Sequence, residues 1–161
     1  MATGVNTGYT RIFEFGASAS DTNAFYVSRT LDPKFYINWR SNSNVDYSAW
    51  SGVSFDAQSN VHIVVTLSTG DYARLYINGV LQATTAVAVS SIPPATVFTI
   101  GYNFGVQPGL IGSVNEFRIW GGALSATDIA TRYSQGPGVC VCVCVCVCVF
   151  VGVRVLFHTF H

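Results

Sequence analysis

The stretch that most constrains the fold is Val61 to Val89, which reads as three strands joined by two tight turns. Val61, Ile63, Val65 and Leu67 share one face at period two, and His62, Val64, Thr66 and Ser68 share the other. Ser68 to Asp71 is turn chemistry, with Gly70 free to take positive φ. Ala73, Leu75 and Ile77 then share a face, with Arg74 and Tyr76 opposite. Asn78-Gly79 follows between apolar residues, the strongest short-range hairpin signal, because a type I′ turn needs positive φ at both central positions.

The rest of the chain reads in the same alphabet. Arg11 to Phe15 is a short strand with Arg11, Phe13 and Phe15 on one face. A polar loop leads to a strand over Ala24 to Ser28, and Asp32-Pro33 marks a turn. In Lys34 to Arg40, Phe35, Ile37 and Trp39 face one way and Tyr36, Asn38 and Arg40 the other, the pattern of an antiparallel sheet with one covered face. Ser41 to Ser51 reads as a polar loop holding Asp46, Tyr47 and Trp50, with a short strand at Gly52 to Asp56. Pro93-Pro94 excludes a central strand, and Val97 to Tyr102 resumes the pattern. Leu110 to Trp120 is a long strand with Phe117 and Ile119 inward. Ser125 with Asp128 forms a capping box, and Leu124 with Ile129 a hydrophobic staple, for a short helix that ends at Gly136-Pro137. The fold class is all-β: an antiparallel β-sandwich or jelly roll with one short C-terminal helix.

At 161 residues there is room for one domain with a real core. Eight basic and eight acidic residues cancel, so no charged surface points to nucleic acid. Met1 to Gly8 has no charged n-region and no apolar h-region, so no signal peptide is visible. All five cysteines lie after residue 139, so the domain proper has no disulfide framework.

With the strands in order, a resemblance is visible. Ile63 to Thr66, Leu75 to Gly79 and Leu81 look like the central hairpin of laminin G-like and pentraxin-like domains, the concanavalin A-like jelly rolls. Gly112 to Trp120 with Ala123-Leu124-Ser125 looks like that family's last core strand and helix, and Gly8 to Phe15 resembles an early strand. The chain thus divides into an N-terminal remnant at 1–8, a laminin G-like domain at 9–137 and a tail at 138–161. The resemblance implies further strands before Arg11, so that a sheet edge is left open to pairing with another chain.

The tail is Val-Cys five times over from Val139, then VFVGVRVLFHTFH. It reads as a translated simple repeat outside the fold, since an alternating GT tract encodes Val-Cys. It also reads as a membrane anchor interrupted by Arg154, or as an aggregation-prone strand. The C-x-C spacing is not that of zinc sites.

Three chemistries bear on function. A sugar-cleaving enzyme of this fold needs paired carboxylates, yet neither Glu14 nor Glu116 has an acidic residue two positions away. The expectation is therefore no enzymatic activity. Calcium is the second: the resemblance places a first ligand pair at Asp21 and Asn23 and a second group at Tyr102-Asn103-Phe104, where only Asn103 offers an oxygen. Any calcium bound there is held weakly, and Asp21 and Asn23 also suit a plain turn. Aromatic stacking is the third: Tyr102 and Phe104 on the rim near Asp21, and Tyr47 with Trp50 in another loop, suit a sugar face or a protein partner, unless they fold back on the core. The leading expectation is a non-catalytic, extracellular or cell-surface module that binds a glycan or an extracellular protein. A degraded glycoside-hydrolase-like domain and a purely structural module are the alternatives.

Overall fold

The computed structural model describes residues 10–16, 24–30, 32, 34–40, 46–54, 60–68, 71–86, 97–102, 110, 113–136 and 150–156, with the backbone alone at 113 and 150–156. Two antiparallel five-stranded sheets and one helix make up the described elements, consistent with the expected β-sandwich. The chain divides into two compact units, residues 1–57 with 92–111 and residues 58–91 with 112–161.

The first unit holds β1 (Thr10–Gly16), β2 (Ala24–Arg29), β3 (Phe35–Arg40), β4 (Asp46–Trp50) and a later edge strand (Val97–Ile100) that follows three strands of the second unit. With those three numbered β5 to β7, this edge strand is β8, and the sheet order is β4-β3-β2-β1-β8. Register sets its faces. Phe13 stands opposite Val27, Phe15 opposite Phe25, Val27 opposite Ile37 and Phe25 opposite Trp39. These apolar residues are buried, and their rings pack in a continuous row: Phe13 on Phe15 at 6.0 Å, Phe15 on Phe25 at 5.2 Å and Phe25 on Trp39 at 6.5 Å between centroids. Each fully buried side chain of this size stabilises by ~1.5–3 kcal/mol.

Three expectations are corrected here. A bulge between Arg11 and Phe13 leaves Ile12 as the extra residue, so Arg11 pairs with Ser28 on the face of Glu14 and not on that of Phe13 and Phe15. Period-two counting cannot see such an insertion. Asp46–Trp50 is a strand, not a loop, held antiparallel to β3 from Tyr36↔Trp50 to Arg40↔Asp46. Ser51 seals its end: the Ser51 N–H donates to the Phe35 carbonyl (2.7 Å), and the Phe35 N–H donates to Ser51 Oγ (3.0 Å). Gly52 to Ser54 then lies outside any strand, whereas a strand was expected from Gly52.

The second unit holds β5 (Val61–Leu67), β6 (Tyr72–Ile77), β7 (Val80–Ala86), β9 (Ser113–Trp120), the helix α1 (Ala126–Gln135) and β10 (Phe150–Leu156). Its sheet order is β7-β6-β5-β10-β9. Ile77 pairs with Val80 across a two-residue turn in which Asn78 has φ 51° and Gly79 φ 81°, as type I′ demands. Asn78 also ties the turn to β5: the His62 N–H donates to its Oδ1 (2.9 Å), and its own N–H donates to the His62 carbonyl (2.8 Å). His62 therefore serves the turn through its backbone, and its ring stacks on Tyr133 at 5.8 Å.

Helix α1 explains why Val64 is apolar on a face otherwise polar by pattern. Val64 and Tyr76 stand opposite each other and are buried with Ile129, and Leu124 packs against them. The capping box forms as read: the Asp128 N–H donates to Ser125 Oγ (3.1 Å), and the Ser125 N–H donates to the Asp128 carboxylate (3.2 Å). Arg132 lies 5.3 Å from the Trp120 ring, which holds the far side of the helix to β9. Ile119, expected inward, is 53% exposed because β9 is the edge strand of its sheet. The segment 138–161 was expected to lie outside the fold, yet Phe150–Leu156 pairs antiparallel with both β5 and β9, and no helix among the described residues is long and apolar enough to cross a membrane.

Candidate functional site

The face of the first sheet opposite the phenylalanine row is polar and aromatic. Register puts Arg11, Glu14, Tyr26, Ser28, Tyr36, Asn38, Arg40, Asp46, Ser48 and Trp50 on it. The β1 bulge supplies its first member by turning Arg11 toward Glu14. Arg11 Nε donates to Glu14 Oε2 (3.2 Å), and Nη1 donates to Ser28 Oγ (2.9 Å). The same guanidinium lies 3.3 Å from the centroid of the Tyr26 ring. All four residues are buried, so this is a desolvated charge network that fixes the geometry of the face. Burial pushes the Tyr26 phenol well above its usual range, with the Arg11 charge opposing.

From Tyr26 the rings step outward across the strands. Tyr26 to Tyr36 is 5.9 Å between centroids, and Tyr36 to Trp50 is 4.3 Å. Exposure rises along the row, from 3% at Tyr26 to 44% at Trp50. Asn38 Nδ2 donates to Tyr36 Oη at 2.5 Å and so fixes that ring. At the opposite end of β3 and β4 from Trp50, Arg40 donates to Asp46 through both Nε (2.8 Å) and Nη2 (3.3 Å). The hydrogen bond from Arg40 holds the Asp46 carboxyl below its usual range. The β3–β4 part of the face therefore offers a half-exposed indole backed by a tyrosine at one end and a forked ion pair at the other, four residues along the strands. A flat, weakly polar ligand face can stack on the indole, and only a ligand extended over about 13 Å also meets the guanidinium and carboxylate.

The spacing of carboxylates on this face is informative. Glu14 is on β1 and Asp46 on β4, with two strands between. Three inter-strand steps of ~4.8 Å and two residues along the strand separate their backbones by about 16 Å. Carboxylate pairs of glycosidases stand at most about 9.5 Å apart. The other acidic groups described are engaged elsewhere: Glu116 with Arg118, Asp71 with Arg74, Asp32 with Lys34 and Asp128 with Ser125. No group of three or more His, Cys, Asp or Glu able to hold a metal occurs among the described residues.

The expected site residues fare unevenly. Asp21, Asn23, Asn103 and Phe104 lie outside the described residues. Tyr102 is 60% exposed just after β8, and its carbonyl accepts from Thr99 Oγ1 (2.8 Å). β8 and β4 are opposite edges of the sheet, so Tyr102 and Trp50 do not share a site. Tyr47 stands opposite Trp39 and Trp50 opposite Tyr36, which puts the two on opposite faces of β4. Of the expected aromatics among the described residues, Trp50 alone is on the polar face. Tyr36, Arg40 and Asp46 were not among the expected site residues. The signal was present in the alternation Tyr36, Asn38, Arg40, which needed only Asp46 to Trp50 as a partner strand.

A laminin G-type family model, described as the concanavalin A-like lectin/glucanases superfamily, matches residues 1–130. No curated protein matches the chain. A solved structure, that of an S-layer domain-containing protein from Clostridium thermocellum, is 26% identical over 81% of this chain and 65% of that one, with a TM-score of 0.42.

Proposed function

The chain belongs to the concanavalin A-like lectin/glucanase superfamily, and from that premise we propose that it is a non-catalytic recognition module whose ligand is carbohydrate. The observation that carries the reading is the half-exposed Trp50 ring packed on Tyr36, with the Arg40–Asp46 fork on the same face about 13 Å along the strands. Stacking on an indole suits the apolar face of a pyranose, and a charged fork further along the face suits the hydroxyls of another residue of an extended glycan. The buried Arg11–Glu14–Ser28 network preorganises the sheet behind this pair, so little ordering accompanies binding. Two features support binding without turnover: the separation of Glu14 from Asp46, and the ion pair that occupies Glu14. A recognition role of this kind suits a surface or extracellular setting within a longer chain.

The test is a glycan array probed with the full chain, run beside a reducing-end release assay on every glycan bound. Saturable binding with no released sugar is the expected result. Release of reducing ends would replace the reading with a glycosidase, and an empty array would leave a protein partner or a structural role.

A further inference from the structure

β10 occupies an unusual position. It lies between β5 and β9, which are not bonded to each other, and it alone joins β9 to the sheet among the described strands. Six register pairs run to β5, from Phe150↔Thr66 to Val155↔Val61, and seven to β9, from Phe150↔Trp120 to Leu156↔Ser113. Both ladders are antiparallel, and both partners are distant in sequence. The ladder is thus specified by an extended backbone and does not depend on which molecule supplies it.

Three further observations bear on the supplier. First, 14 residues separate Gln135 at the end of α1 from Phe150. Such a length reaches at most roughly 45 Å, at ~3.3 Å per residue, far enough to enter a neighbouring molecule. Second, the Val-Cys run before Phe150 has the same period of two, so a two-residue slip keeps the alternation and weakly fixes the register. Third, β5 is buried on both faces, from Val61 to Leu67 with only His62 part-exposed. Emptying the slot would bare the edge of an apolar strand, the kind of edge that recruits another strand.

We infer that the β5–β9 slot is a strand-acceptor site, and that its occupant between molecules is the Phe150–Leu156 segment of a second copy of this chain, giving a strand-exchanged dimer. Exchange of an identical element changes no contact within the slot, so it costs little beyond association. Arg154 stands opposite Glu116 on one side and His62 on the other, which marks the register the incoming strand would take.

The experiment uses the full chain in excess reductant, so that cysteine cross-links do not count. Light scattering after size exclusion reads the mass over a range of concentrations. A fluorescent peptide of residues 150–156, flanked by lysines for solubility, is then added, beside the same peptide carrying Gly152→Pro. Proline has no N–H to donate and blocks a central strand. The expected result is a dimer that the unmodified peptide converts to a labelled monomer, while the proline peptide leaves it unchanged. A chain that stays monomeric at every concentration overturns the inference. So does a dimer indifferent to the unmodified peptide, or one dissolved equally by both.

Discussion

Gly79 is the position where turn geometry and helix packing meet, and its replacement gives a graded prediction. At φ 81° an L-residue is in the left-handed region, at a cost of ~1–2 kcal/mol. A Cβ there would also stand 3.3 Å from the Ala130 Cα, the Tyr133 Cβ and the Tyr133 Cδ1 of α1. Two of these atoms are anchored to the helix backbone, so they move only if the helix moves, and overpacking of this kind costs a further ~1–3 kcal/mol. Gly79→Ala should therefore destabilise by about 2–5 kcal/mol. At about 2–4 °C per kcal/mol for a chain of this length, the melting temperature falls by roughly 4–20 °C. Two companions separate the causes. Gly101 has φ 70° but only ordinary contacts with Leu110, so Gly101→Ala reports strain alone. Gly52 has open space around its added Cβ, so Gly52→Ala should fall within ~0.5 kcal/mol of wild type. The assay is urea and thermal unfolding followed by circular dichroism. If Gly79→Ala melts like Gly52→Ala, the type I′ turn is refuted. If it melts like Gly101→Ala, the seating of the turn under the helix contributes nothing.

Removing Arg11 should be severe: Arg11→Leu leaves Glu14 charged and buried, at about 3–5 kcal/mol, and most of the loss should return in the Arg11→Leu/Glu14→Leu double variant, read by urea midpoints. Ser125→Ala removes the acceptor for the Asp128 N–H and should cost ~1 kcal/mol, and an unchanged melt would refute the cap. Asp46 and Asp128 both have lowered carboxyl pKa values in the folded chain, through hydrogen bonds from Arg40 and Ser125. Their contribution is present above the unfolded value of about 4 and is lost as pH falls through the folded values. Melting temperature should thus be flat from neutral pH down to about 5 and drop below about 4, with a shallower drop in Asp46→Asn.

The second unit was the more legible in sequence. Asn78-Gly79, the two faces of β5 and β6, and the Ser125–Asp128 cap are all local, and each formed as the residues indicate. What escaped were facts about neighbours. The β1 bulge shifts Arg11 by one face, and nothing in TRIFEFG announces it. Asp46 to Trp50 is polar because β4 is an edge strand with one residue, Ala49, buried, so its composition resembles a loop. The Tyr26–Tyr36–Trp50 row exists only through register between three strands, which period-two counting on one strand cannot supply. Phe150–Leu156 looks like low complexity alone and becomes a strand only beside β5 and β9.

The polar face of the first sheet is the heart of the functional account, and one titration tests it. The glycan that binds best is titrated against wild type, Trp50→Ala and Tyr102→Ala by calorimetry, with melting temperatures recorded for all three. Trp50→Ala should weaken binding at least about tenfold, the effect of losing about 1.4 kcal/mol or more at an aromatic anchor. Its melting temperature should stay near that of wild type, and Tyr102→Ala should bind as wild type does. Undiminished binding by Trp50→Ala, with the loss falling on Tyr102→Ala instead, would contradict it and move the site to the opposite edge of the sheet.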